Sequence, residues 1–240
     1  DLAFMRHASG EHRLAIGAPR WAPGGGLADG IVYVFDSLAR GPLQVLRAPT
    51  GLGGFGNSLL AADVNADGVE DLLISEPLAF PASTSGRGLV HVRDGATEQW
   101  LAPIEPPAAK PKYELFGDAI HGVTDLDGDG VADLLLSASA TQVDGKKAGV
   151  GLLLAGPDFT DVLHVFEPLA AVTPGQYGNV VAVGDLDLDG DGGGTCQWSW
   201  DFGDTNSSSS QNPAHTLVSF MIYNYFLSFP CYCLVVVTLW

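Results

Sequence analysis

The chain has 240 residues, with 28 Asp+Glu against 11 Lys+Arg and a formal net charge of −17. That acidic balance excludes a nucleic-acid-binding surface, because phosphate would be repelled, and it suits a cation as partner. A hydrophobic content of 46% excludes wholesale disorder, three Cys exclude a disulfide-dense scaffold, and 31 Gly with 15 Pro point to a turn-rich, all-β chain.

In chain order, the first apolar run is Leu14–Pro19, followed by a glycine-led run, Gly30–Phe35. Phe55-Gly56 then opens a unit that recurs. An Asp-rich loop begins at Asp63, an apolar run Leu72–Ser75 follows, and a second glycine-led run covers Gly88–Arg93. Phe116-Gly117 lies 61 residues after the first pair and is followed by a loop at Asp125, the run Leu134–Ser137 and the run Gly149–Leu154. Tyr177-Gly178 lies a further 61 residues on, with a third loop at Asp185. Each unit reads as several short strands separated by Gly, Pro, Asp and Ser clusters. Such a sheet cannot bury both faces alone, so neighbouring units must stack.

The first loop is Asp63-Val64-Asn65-Ala66-Asp67-Gly68-Val69-Glu70-Asp71 and the second Asp125-Leu126-Asp127-Gly128-Asp129-Gly130-Val131-Ala132-Asp133. Oxygens at positions 1, 3 and 5 curl round one centre. Gly at position 6 permits a sharp turn, a carbonyl at position 7 adds a ligand, and a carboxylate at position 9 closes the shell. This is the chemistry of Ca²⁺, which takes 6–8 hard oxygen ligands, whereas Mg²⁺ prefers a near-ideal octahedron and keeps its waters. The expected ligands are Asp63, Asn65, Asp67, Val69 and Asp71 in one loop and Asp125, Asp127, Asp129, Val131 and Asp133 in the other. Glu70 is expected to point to solvent. The third loop keeps Asp185, Asp187 and Asp189, but Gly193 stands where the closing acid would be. The competing reading is that these Asp and Asn side chains only form Asx-turns between strands.

An aromatic-Gly pair, an Asp-x-Asn-x-Asp-Gly loop and a Leu-x-Ile-Gly-Ala-Pro run together resemble the FG-GAP repeat over about residues 10–192. The Gly-Ala-Pro element is intact at Gly17-Ala18-Pro19 and has drifted to Ser75-Glu76-Pro77 and Ser137-Ala138-Ser139. The resemblance implies a β-propeller of the kind found in integrin α-subunits and in bacterial surface and secreted proteins. The expected organisation is a partial β-propeller of about three FG-GAP blades over 1–192. It comprises a partial blade over 1–50, blades over about 51–111 and 112–172, and a partial blade over 173–192. Too few blades are present to close a ring, and the chain starts at Asp1, so it is expected to be a piece of a longer protein.

After Gly192 the character changes. Trp198-Ser199-Trp200-Asp201-Phe202-Gly203-Asp204 followed by Asn212-Pro213-Ala214-His215-Thr216 is similar to the PKD domain, an immunoglobulin-like β-sandwich module. The segment 193–240 is therefore read as an incomplete PKD-like unit with an apolar tail. Residues 217–240 carry no charge, and 19 of the 24 are apolar. This tail reads as a last PKD strand over Tyr232–Leu239, as an aberrant tail, or as a membrane anchor. The anchor is disfavoured because no Lys or Arg follows Lys147.

Signals for catalysis are weak. Gly51-Leu52-Gly53-Gly54-Phe55-Gly56 matches G-x-G-x-x-G literally, but a strand and an Asp loop follow it rather than a helix. The six His show no paired metal spacing, no G-x-S-x-G elbow is present, and the clustered acids are claimed by calcium. The expected function is a secreted or surface-exposed, non-enzymatic, calcium-binding module for adhesion or recognition, meeting a protein or carbohydrate ligand at one loop face. The alternative is an accessory region of a secreted hydrolase, such as a phospholipase or a polysaccharide-degrading enzyme.

Overall fold

The computed structural model describes residues 1–22, 29–36, 41–49, 53–80, 87–107, 113–123 and 125–167, and beyond them only the backbone of short strands. It divides into two compact units, Asp1–Asn179 and Val180–Trp240. Among the described residues there is no helix.

The first unit is a succession of antiparallel meanders. Strands β1 (Leu2–Arg6), β2 (His12–Ala18), β3 (Ile31–Phe35) and β4 (Gln44–Leu46) form a four-stranded sheet in sequence order. Strands β5 (Leu59–Ala62), β6 (Asp71–Glu76) and β7 (Leu89–Arg93) form the second sheet. Its fourth position is taken by 100–104, through bridges Arg93↔Trp100 and Val90↔Ile104. The third sheet has the order β13-β12-β9-β8, built from β8 (Phe116–Val123), β9 (Asp133–Ala138), β12 (Val150–Leu154) and β13 (Val162–Phe166). A two-stranded hairpin, β10 (Gln142–Val143) with β11 (Lys146–Lys147), is inserted before β12. Asp144 and Gly145 at its tip have φ of 51° and 76°, the backbone that a Asp-Gly two-residue turn supplies.

Register shows why the apolar runs recur. Leu14 pairs with Phe35, Leu72 with Arg93 and Leu134 with Leu154, so these residues occupy equivalent places in the three sheets. All six residues of β6 and of β9 are buried, which explains near-continuous Leu and Ile in place of alternation. On β6, Leu72 and Ile74 join Ala3, Met5, Ala15, Val32, Val34 and Phe55 in one core. Leu73, from its other face, joins Val90, Phe116, Leu134, Leu136, Val150 and Leu152 in the second core. The middle sheet is thus covered on both faces.

The Phe-Gly pairs lock each sheet to its predecessor. Phe55 N–H donates to the Asp29 carbonyl and Phe116 N–H to the Arg87 carbonyl, and both rings are fully buried. Gly30 has φ of +76°, and a Cβ there would lie 2.2 Å from the Phe55 carbonyl oxygen. Gly88 repeats this against Phe116, so only glycine admits the incoming strand at either place. The drift of Gly17 to Ser75 and Ser137 is compensated: Ser75 Oγ accepts the Ser58 amide at 2.7 Å and Ser137 Oγ the Ala119 amide at 2.8 Å.

In the second unit, β14 (Ala182–Val183), β17 (Tyr223–Phe229) and β18 (Tyr232–Thr238) form a sheet of order β14-β18-β17. β15 (Trp200–Asp201) pairs antiparallel with β16 (Ser207–Ser208). Most of the residues that resemble a PKD domain, among them Trp198, Phe202 and Asn212–Thr216, lie outside the described residues. Among the described residues no helix is long and apolar enough to cross a membrane.

Candidate metal centre

The two Asp loops connect the first and second strands of the second and third sheets, and most of their hydrogen bonds repeat, the Gly128 amide adding one to Asp125 Oδ1 (2.6 Å) in the second. Asp63 Oδ1 and Asn65 Oδ1 accept the Asp67 amide (3.1 and 3.0 Å), Asp63 Oδ2 accepts the Gly68 amide (2.8 Å), and Asp67 Oδ1 accepts the Val69 amide (2.8 Å). In the other loop Asp125 Oδ1 and Asp127 Oδ1 accept the Asp129 amide (3.2 and 3.1 Å), Asp125 Oδ2 the Gly130 amide (2.8 Å), and Asp129 Oδ1 the Val131 amide (2.7 Å). Gly68 and Gly130 at position 6 have φ of +85° and +92°. Position 4 is left-handed as well, at Ala66 (φ 59°) and Gly128 (φ 86°).

This backbone turns the acids inward. Asp125, Asp127 and Asp129 each place one carboxylate oxygen within 4.8 Å of the others. Oxygens this close could share one cation. Asn65 stands at the place of Asp127 and contributes an amide oxygen with one charge fewer. The Asp125 carboxyl is held below the usual range, chiefly by the amide of Gly130.

The closing acids occupy a different environment. Asp71 and Asp133 are fully buried. Asp71 Oδ2 accepts the Val64 amide (3.1 Å) and its Oδ1 the Gly95 amide (2.9 Å). Asp133 repeats this with Leu126 (2.8 Å) and Gly156 (3.1 Å). Each ties its own loop to the turn after the sheet's third strand. Burial pushes both carboxyls up, against the lowering effect of those amides. Asp133 is not among the three oxygens within 4.8 Å. The third set, Asp185, Asp187 and Asp189, lies outside the described residues.

The sequence reading missed three features. Gly95 and Gly156 are required because a Cβ on them would lie 2.0 Å from the Glu70 carbonyl oxygen and 2.8 Å from that of Ala132. Their separation of 61 residues, one repeat, was the available signal. Glu70 does not simply point to solvent: its Oε2 accepts the Arg6 amide at 2.6 Å, joining the first loop to β1.

The third feature is a polar seam between the first two sheets. Arg13 Nη1 lies 2.7 Å and Arg93 Nη2 3.7 Å from opposite oxygens of Glu98, and Gln44 Nε2 donates to Glu98 Oε2 (2.8 Å). These bonds, that from Arg13 first, hold the Glu98 carboxyl below its ordinary range. In the same seam His91 Nε2 lies 2.7 Å from Glu76 Oε2, with Phe55 and Trp100 edge-on to the imidazole. The Glu98 contacts of Arg13 and Gln44 join the two sheets through residues far apart in sequence, which no local pattern announces.

Known proteins resemble this chain over part of its length. The FG-GAP repeat model matches residues 55–92, which run from Phe55 through the first Asp loop into β7. Integrin alpha-IIb of Homo sapiens is 34% identical over 132 residues, covering 51% of this chain and 12% of the relative. Integrin alpha-4 of Xenopus laevis is 26% identical over 162 residues, 57% of this chain and 16% of the relative. Phosphatidylinositol-glycan-specific phospholipase D of Rattus norvegicus is 29% identical over 154 residues, 59% of this chain and 18% of the relative. The chain therefore spans less than a fifth of the length of these relatives, and it carries an FG-GAP, integrin-like region made of consecutive antiparallel sheets.

Proposed function

We propose that this chain is a calcium-stabilised, extracellular β-propeller module that serves adhesion or ligand recognition and carries out no catalysis. The observation that carries this reading is the pair of Asp loops, 62 residues apart, with closely matching hydrogen bonds, and in the second of them three converging carboxylates. Asp63, Asn65, Asp67 and Asp71 would hold one ion and Asp125, Asp127, Asp129 and Asp133 the second, with the carbonyls of Val69 and Val131 completing each shell. Acids packed this closely repel one another unless a cation neutralises them. We assign a third, weaker ion to Asp185, Asp187 and Asp189. Calcium acts structurally here, holding the turn between two strands of a blade.

The propeller reading is supported by the free face of the first sheet. Leu2, Ile16, Tyr33 and Val45 form one cross-strand row there. Phe4 lies on the same face, and Leu2, Phe4, Ile16 and Val45 are 56, 67, 36 and 45% exposed. The second sheet uses the equivalent face, with Leu72 and Ile74, to pack on the first. A further blade seated on the free face would extend the stack. Residues 193–240 we read as an incomplete PKD-like segment.

A second reading, an accessory region of a secreted hydrolase, is favoured by the similarity to a phospholipase D. Thermal unfolding in EDTA, in millimolar calcium and in magnesium tests the calcium reading. A rise in midpoint specific to calcium is expected, and equal midpoints in all three would overturn it. Sequence flanking this chain that encodes a catalytic domain would favour the second reading over the first.

A further inference from the structure

In an antiparallel meander successive connections alternate between two ends. The Asp loops lie at one end, and residues 19–22, 29–30, 47–49, 53–58, 77–80 and 87–88 lie at the other. At that second end two arginines lie on aromatic faces. The guanidinium carbon of Arg47 is 4.3 Å from the Trp21 ring centroid, and that of Arg87 is 4.5 Å from the Phe80 centroid. Phe80 is 76% exposed and its neighbour Leu78 42%. Among the described residues, no carboxylate forms an ion pair with Arg20, Arg47 or Arg87. Arg87 Nε is buried and has no hydrogen-bond partner among them. At the Asp-loop end, by contrast, Arg13 and Arg93 share Glu98. Among the described arginines, Arg47 and Arg87 thus combine an aromatic face with the lack of an ion-paired acid.

Stacking on an aromatic face orients a guanidinium while leaving its N–H edge free for an anion. Exposed Leu78 and Phe80 beside it call for apolar groups on the same partner, which a polysaccharide does not offer. We propose that this end of the molecule docks an acidic protein segment with interspersed aromatic or aliphatic side chains, with Arg47 and Arg87 as its anchors. This names the partner chemistry for the recognition role above and rests on that reading.

The test uses the full chain in calcium, with a random Glu–Tyr copolymer as probe and polyglutamate and heparin for comparison. The copolymer should bind more tightly than polyglutamate, and raising sodium chloride from about 0.05 to 0.3 M should weaken it, since the Debye length shortens. Arg47→Gln and Arg87→Gln should each weaken copolymer binding about tenfold, a loss of ~1.4 kcal/mol. Arg87→Lys should recover only part of the loss, and Arg6→Gln at the other end should change nothing. Should Arg87→Gln fail to fold, exposed Arg47 carries the test. No copolymer binding, or binding indifferent to Arg47→Gln, overturns the proposal. So does tighter heparin binding lost in the same variants, which would make the partner an anionic polysaccharide. Calcium-dependent melting retained without copolymer binding sinks this proposal alone; the converse sinks the calcium reading alone.

Discussion

Asp127 and Asp133 belong to one loop, yet truncating them should differ sharply in the absence of calcium. Asp133 is fully buried and receives the amides of Leu126 and Gly156. Asp133→Ala strands the buried Gly156 amide, and an unsatisfied buried donor costs about 1–3 kcal/mol. Relief of burying a carboxylate offsets part of this, so a net loss of about 2 kcal/mol is expected. In a unit spanning Asp1–Asn179, 1 kcal/mol moves the midpoint by about 2–4 °C, so the apo midpoint should fall by roughly 4–8 °C. Asp127 is exposed and accepts only the neighbouring Asp129 amide. Asp127→Ala should therefore cost less than about 0.5 kcal/mol in EDTA. In calcium at a hundred times Kd each filled site adds about 2.7 kcal/mol, so Asp127→Ala should forfeit roughly 5–11 °C of the calcium-induced rise. Differential scanning calorimetry of both variants with and without calcium reads all four midpoints. An unmoved apo midpoint in Asp133→Ala, or a full calcium response in Asp127→Ala, would refute the division of labour.

Further outcomes follow from the same structure. Burial raises the carboxyls of Asp71 and Asp133, so the folded apo chain holds those protons more tightly than the unfolded one. Their contribution to stability is present below the unfolded value of about 3.9 and is lost as pH rises through the folded values; calcium should flatten this loss, and Asp133→Asn should remove its share in urea titrations against pH. Phe116→Ala, at a fully buried ring between the second and third sheets, should cost about 3–5 kcal/mol in chemical denaturation. Gly17→Ala places a Cβ 2.0 Å from the Gly56 carbonyl oxygen, whereas Gly10→Ala meets nothing within 4 Å. The first should cost about 1–3 kcal/mol or more and the second only the left-handed strain, about 1–2 kcal/mol. Glu98→Gln should cost about 1 kcal/mol at low ionic strength and less in high salt, because Glu98 is 34% exposed.

The sheets were legible because their central strands obey a simple constraint. Residues 72–75 and 134–137 are covered from both sides, so they are uniformly apolar or small and stand out between Asp loops and glycines. The Asp loops were legible as turns because Asp or Asn at alternate positions, with Gly at the sixth, leaves a spacing that side-chain identity alone reveals. Strand β1 was not legible: its inward residues are only Ala3 and Met5, and its outward residues Leu2 and Phe4 blur the alternation. The structural role of Asp71 and Asp133 was hidden for a related reason. A carboxylate at position 9 suits both an ion and two backbone amides, and only the approach of Gly95 and Gly156 in space shows the second. Glu76 and His91 could not be paired from sequence, since 15 residues and a strand register separate them.

Register also explains why the first sheet has no Asp loop. Arg13 precedes Leu14 just as Asp71 precedes Leu72 and Asp133 precedes Leu134, so arginine stands where the other two sheets place their closing acid. The turn before it, His7-Ala8-Ser9-Gly10-Glu11, has none of the alternate Asp residues. Where the second and third sheets close this turn with a buried carboxylate, the first presents a guanidinium, and Glu98 from the second sheet neutralises it. The charge logic is inverted rather than lost: the first seam carries its own cation, and on the proposed reading the later loops would take one from solution. Calcium dependence should accordingly reside in the second and third sheets, while the first seam responds to salt and to the state of Glu98. One repeated backbone thus meets the same demand, closing a strand-to-strand turn against its neighbour, by two electrostatic routes.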